Sequence, residues 1–178
     1  MKNKTVEYDV MQPQKDEVDV VMKELEKTGR MECMKQCIQH GDISVYEHCV
    51  RVAVMSLVIA ELFKITVDRR SLIVGALLHD YFLYDWHEKD DSHKWHGFFH
   101  PSRALENANE DYELNERQKN IILRHMFPLT PVPPVCREAW IVCLADKVCA
   151  TEETIKPLQL NLIRFLISRR LFRMFYLR

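Results

Sequence analysis

Apolar residues recur along this chain at spacings of three and four, the period of one helix face. Val18, Val21, Met22 and Leu25 share such a face and predict a helix over 15–28, ended by Gly29. A short helix is expected over Met31–Gln39, stopped at Gly41. Ser44 followed three residues later by Glu47 is a capping box, opening a helix to about Lys64. Its stripe is Val52, Met55, Ile59 and Leu62, at 4, 7, 11 and 14 residues beyond His48. Asp68 caps a helix running to about Asp80, and residues 84–100 read as a polar loop. Pro101 suits the first turn of the next helix, with Ala104, Leu105 and Ala108 on its apolar face. Asn115 with Gln118 is a second capping box, for a helix to about Phe127. LTPVPP is a turn whose last prolines begin a helix through Ala150, and a final helix spans roughly 157–176. No run reads as a β-hairpin and no repeat is visible. The pattern predicts an all-α, single-domain helical bundle: N-terminal helices over 1–43, a core over 44–153 and a basic C-terminal helix over 154–178.

Composition changes this picture little. At 178 residues, 47% hydrophobic, the chain can bury a real core. Net charge is −1, which argues against a protein built to hold nucleic acid. The charge is lopsided: residues 154–178 carry Lys156, Arg164, Arg169, Arg170, Arg173 and Arg178 and no acid, leaving −7 on the remainder. That segment has three readings: a helix packed on the domain or on a second copy in a homodimer, a helix on an anionic membrane surface, or a site for an acidic partner. No signal peptide or membrane-length apolar run is seen. The six cysteines, Cys33, Cys37, Cys49, Cys136, Cys143 and Cys149, form no C-x-x-C pair and are expected to be buried, reduced thiols of a cytoplasmic protein. Cys33 and Cys37 lack partners at zinc-site spacing.

The candidate chemistry lies in polar residues on apolar faces. His48 begins the stripe above. The run GALL enters His79-Asp80, His125 follows Ile121 and Ile122 by four and three, and Asp146 follows Val142 and Cys143 in the same way. His100 precedes Pro101 at a helix start. Taken singly, an inward His is more often a satisfied core residue than a ligand, and an inward Asp often bonds a neighbouring helix. Taken together, four His and two Asp on or beside five helices would each cost a few kcal/mol if buried unpaired, on the order of 1–3 or more. Convergence on metal ions removes that cost. Imidazole and carboxylate without thiolate suit Fe, Mn, Co, Ni or Zn, and helix bundles build such sites from facing helices.

The words HCVRVA, GALLHD, HP-x-x-A, ILRH and LADK, in this order over residues 44–153, resemble the HD-domain metal-dependent phosphohydrolase superfamily. The resemblance implies that His48, His79, Asp80 and Asp146 hold one divalent metal ion. It implies that His100 and His125 add a second, with Asp80 bridging both as the central catalytic residue. A metal-activated water would then hydrolyse a phosphoester or phosphoanhydride of a small phosphorylated metabolite or nucleotide. Two other functions are alternatives: a diiron oxygenase of HD type, which uses the same six-ligand pattern, and a non-catalytic ligand-binding module, which keeps the fold.

The match departs from the family in places. Several subfamilies have Lys three residues after the Asp; here it is Leu83. Asp85, His87, His93, Lys94 and His96 in the following loop are the alternatives, and His96 competes with His100 as ligand. The Glu-Asp pair of the guanosine-alarmone hydrolases would fall on Leu83 and Tyr84, and the GYP signature of cyclic-dinucleotide phosphodiesterases is absent. Arg51 and Lys147, each beside a ligand, are read as phosphate contacts or structural salt bridges. Trp86 and Trp95 are read as nucleobase stacking or as loop closure.

Overall fold

The computed structural model describes residues 3–40, 43–84 and 96–154. They form six α-helices, a 3₁₀ turn and a two-stranded ribbon: α1 Asn3–Leu25, the turn Met31–Lys35, β1 Ile38–His40, β2 Ile43–Ser44, α2 Val45–Leu62, α3 Arg69–Leu78, α4 His96–Asp111, α5 Glu116–Arg124 and α6 Arg137–Thr154. This is an all-α bundle, as expected. The Pro157–Tyr176 helix, and with it the basic segment beyond Thr154, lies outside the described residues.

The N-terminal part corrects the sequence reading. The helix expected over Met31–Gln39 is a short 3₁₀ turn followed by β1, which pairs antiparallel with β2, Ile38 opposite Ser44. So a small hairpin does exist. Its strands are three and two residues long, too short for a period of two to show above a helical pattern. The alternation is visible afterwards: Cys37 and Gln39 are buried and Ile38 is half-buried.

Helix α2 is the centre of the bundle and packs against α1, α3 and α6. Its capping box forms as predicted: Ser44 Oγ accepts from Glu47 N, and Glu47 Oε2 accepts from Ser44 N. His48, Val52 and Ile59 are buried as the stripe predicts, but Met55 is half-buried and Leu62 is exposed. Neighbouring helices cover α2 almost all round over its first four turns, so no single stripe describes it. Lys64, at φ 54°, turns the chain away from the helix.

Asp68 caps α3 through Ser71 N at 3.0 Å. Every residue from Ser71 to Leu78 is buried. Gly75 permits this, because a Cβ there would stand 2.8 Å from Cβ of Ile121 on α5. After α3 the chain stays buried through Phe82. Asn107 of α4 donates to the carbonyls of Tyr81 and Phe82, both at 3.0 Å, satisfying groups that no helix or strand pairs. The Tyr81 hydroxyl donates to Asp111 at 2.7 Å, and Arg30 Nε donates to the same carboxylate at 2.8 Å.

Helix α4 begins at His96, five residues before the expected start, so Pro101 and His100 lie inside it. Pro101 lacks an N–H for the carbonyl of Gly97. The added turn rests on the α5–α6 connection, where a Cβ on Gly97 would meet Leu129 at 3.1 Å. The Asn115–Gln118 capping box on α5 is present. Helix α6 starts at Arg137, three residues after the last proline, and packs against α2, α3 and α5. Among the described residues, no cysteine is in a disulfide, and Cys33 is exposed and Cys136 half-buried where burial was expected. No described helix is long and apolar enough to cross a membrane.

Candidate metal centre

Five helices deliver the six predicted ligands to one buried cluster. His48 comes from the first turn of α2. His79 is the residue that ends α3, and Asp80 follows it. His100 comes from α4, His125 from the end of α5 and Asp146 from the middle of α6. All six are buried. The cluster forms because α3 and α5 stop where they do. Each helix ends on its histidine, so the ring emerges at the helix terminus and not along the packed face.

The cluster has two lobes, divided by Asp80. Oδ2 of Asp80 lies 3.4 Å from Nε2 of His79 and 3.9 Å from Nε2 of His48. Oδ1 of Asp146 lies 3.1 and 3.8 Å from the same two nitrogens. On the other side, Oδ1 of Asp80 lies 3.2 Å from Nε2 of His100 and 3.4 Å from Nε2 of His125, and those two nitrogens are 2.8 Å apart. Ligands about 2.0–2.2 Å from one ion stand roughly 3–3.5 Å from each other. Most of these separations fall near that range.

Three rings have their other nitrogen engaged. Nδ1 of His79 is 2.7 Å from the carbonyl of Ala76, and Nδ1 of His125 is 2.8 Å from the carbonyl of Ile122. Nδ1 of His48 is 2.8 Å from Glu153 Oε2. Each acceptor requires an Nδ1–H, which assigns the lone pair of a neutral ring to Nε2, the nitrogen facing the cluster. His79 Nε2 and Asp80 Oδ1 are buried and, beyond the close approaches of the neighbouring rings and carboxylates, have no hydrogen bond of ordinary geometry. Orphaned atoms of this kind are costly in a protein interior, and a bound cation would satisfy them. His48, His79 and Asp146 form one triad with ligand atoms mutually within 4.8 Å, and His79, Asp80 and His125 form another. The donor set of imidazole nitrogen and carboxylate oxygen fits a divalent transition metal ion.

The electrostatics agree. Burial alone would raise the pKa of Asp80, but His79, His100 and His125 around it hold it well below the carboxylate range. Asp146 is held low in the same way by His48 and His79. Burial opposes charge on His48, yet its bonds to Asp146 and Glu153 outweigh this and push it up to about 10. His79 is likewise raised against burial, chiefly by Asp80. Burial lowers His125, which favours the neutral ring. The cluster is built to hold positive charge between two carboxylates, and cations can take the place of those protons.

The remaining predicted residues are placed as follows. Arg51 pairs with Glu153 at 3.0 Å and Glu152 at 3.4 Å. Lys147 Nζ donates to the carbonyl of His125 at 3.0 Å and that of Cys143 at 3.3 Å, bracing two neighbouring helices. His96 is the first residue of α4, one turn before His100. Lys94, Asp85, His87, His93, Trp86 and Trp95 lie outside the described residues. Sequence reasoning missed two residues at the cluster. Gln39 of β1 donates its amide to Asp80 Oδ2 at 2.7 Å, and Glu153 bonds His48. Gln39 was hidden by the misread hairpin. Glu153 stood seven residues after Asp146, a spacing that returns to the same helix face.

The HD domain family matches residues 45–151, and the chain belongs to that family. The cluster of His48, His79, Asp80, His125 and Asp146 is compatible with its metal site, and His100 stands beside it, 3.2 Å from Asp80 Oδ1. No curated protein and no solved structure matches the chain.

Proposed function

We propose that the protein is a metal-dependent phosphohydrolase that holds two divalent transition metal ions and hydrolyses a phosphoester or phosphoanhydride of a small metabolite or nucleotide. The observation that carries this reading is the division of Asp80, one oxygen to His48 and His79, the other to His100 and His125. A metal pair bound there would lower the pKa of a water and offset phosphoryl charge. The chain's own residues do the rest. Asp80 sets the spacing of the two lobes. The Nδ1 contacts of His48, His79 and His125 hold those rings in one orientation. Leu77 and Leu78 at the end of α3 and Ile121 and Ile122 in α5 are buried, and apolar surroundings strengthen every electrostatic contact inside.

Hydrolysis adds the oxygen of water to phosphorus, breaks the P–O bond to the leaving group, and delivers a proton to that group. With Leu83 in place of the family lysine, the proton must come from elsewhere. We assign the phosphate contacts and this proton to His96 and Lys94. His96 is the first residue of α4, one turn before His100. Arg51 and Lys147 are engaged in bonds inside the bundle and rank behind them.

The test is turnover of a panel of phosphomonoesters, nucleotides and dinucleotides by metal-stripped protein reloaded anaerobically with Mn²⁺ or Co²⁺. Phosphate release supports the hydrolase. Turnover only with iron and O₂ would replace it with the oxygenase. Metal uptake with neither reaction would leave a binding module.

A further inference from the structure

Helix α6 holds both nitrogens of His48. Oδ1 of Asp146 is 3.1 Å from Nε2, and Oε2 of Glu153 is 2.8 Å from Nδ1. The Glu153 side chain is 0% exposed. A buried carboxylate is costly without a countercharge, and Arg51 supplies one, Nη1 to Oε1 at 3.0 Å. Arg51 is one turn along α2 from His48, so α2 and α6 each contribute two members of a chain Arg51–Glu153–His48–Asp146. Glu153 lies beyond the stretch that the HD family matches.

The need for Glu153 follows from where His48 sits. His79 and His125 stand at helix C-termini, where the last carbonyls are spare. Each ring bonds the carbonyl three residues before it. His48 stands in the first turn of α2, where the spare backbone groups are N–H donors. No carbonyl of its own helix is available to accept from Nδ1. An acceptor has to come from another helix, and a charged one strengthens the ring as a ligand more than a neutral carbonyl does.

We infer that Glu153, held by Arg51, is a positioning residue for the centre: it keeps His48 protonated on Nδ1 with Nε2 turned to the metal, and so sets the affinity of the His48–His79–Asp146 lobe. The inference rests on the metal-centre reading above. It makes Arg51 a residue that acts through Glu153.

The experiment uses the full chain, stripped with chelator and titrated with Co²⁺ against a chromophoric competitor, for wild type, Glu153→Ala, Glu153→Gln and Arg51→Ala. The expected result is two ions in wild type. In Glu153→Ala one of them is weakened about 10–100-fold and the other is unchanged. Glu153→Gln keeps an acceptor for Nδ1 without the charge and should fall between. Arg51→Ala should weaken the same ion. Loss confined to one ion is a readout that general destabilisation would not produce, and the near-isosteric Gln variant keeps the test open if Glu153→Ala does not fold. Wild-type affinity for both ions in the Ala and Gln variants overturns the role of Glu153 and leaves the centre standing. A wild type that takes up no ion overturns the centre itself, and this inference with it.

Discussion

Oδ1 of Asp80 lies 3.2 Å from Nε2 of His100, while the other oxygen of the same carboxylate faces His79. One side chain therefore belongs to both lobes, whereas His125 belongs to one. Asp80→Ala should bring metal content from two ions per chain to nearly none, and His125→Ala should bring it to one. Elemental mass spectrometry on purified protein measures both. Equal content in wild type and Asp80→Ala would contradict the assignment of Asp80 as the shared ligand.

Gly75 and Ile121 set how closely α3 and α5 approach, and these two helices end on His79 and His125. An added methyl at position 75 would meet Cβ of Ile121 at 2.8 Å, a branched carbon next to the backbone that cannot swing aside. Gly75→Ala should lower unfolding free energy by about 1–3 kcal/mol, measured by urea denaturation. It should also weaken metal binding, because forcing the helices apart moves His79 from His125. Unchanged stability would mean the bundle relaxes at this contact.

Asn107 anchors the segment that carries Asp80. Its amide satisfies the carbonyls of Tyr81 and Phe82. Asn107→Leu keeps the volume and removes the donor, which should cost about 1–3 kcal/mol for the carbonyls left unpaired. The expected signature is a lower denaturation midpoint with the slope of the transition unchanged. Retention of the wild-type midpoint would show that water replaces the amide.

Asp111 links Arg30 to Tyr81. Burial would raise its carboxyl, but Arg30 and the Tyr81 hydroxyl outweigh this and hold it below its ordinary value. A carboxyl held low in the fold takes up a proton more readily when the chain unfolds. Its contribution to stability is thus full above the unfolded value of about 3.9 and is lost as pH falls through the folded value. The stability difference between wild type and Asp111→Asn should be constant from pH 7 to 5 and shrink as the pH drops below about 4. A difference that stays level to pH 3 would separate Asp111 from the acid sensitivity of the fold.

Much of this was legible in advance, because it is local. A capping box needs only residues three apart, so Ser44–Glu47 and Asn115–Gln118 were read correctly before any packing was known. The histidines and aspartates were visible as polar residues on apolar faces, a pattern that burial makes expensive and that metal ligation would resolve. Gln39 and Glu153 were not visible in this way. Gln39 sits in a strand too short to show its period. Glu153 looks like any acid in a polar helix end until α2 lies beside it.

The sequence by itself determined the all-α class, the caps of α2, α3 and α5, and six candidate ligands, since each depends on periodicity and hydrogen bonding within a few residues. Tertiary structure decided the rest. It began α4 a turn early against the α5–α6 connection and paired residues 38–40 with residues 43–44. It split Asp80 between two lobes and brought Glu153 to His48 across 105 positions of chain. These outcomes depend on which helices meet and how closely they approach. That is set by the packing of side chains such as Gly75 and Ile121, which are distant in sequence and carry no local signal of their meeting.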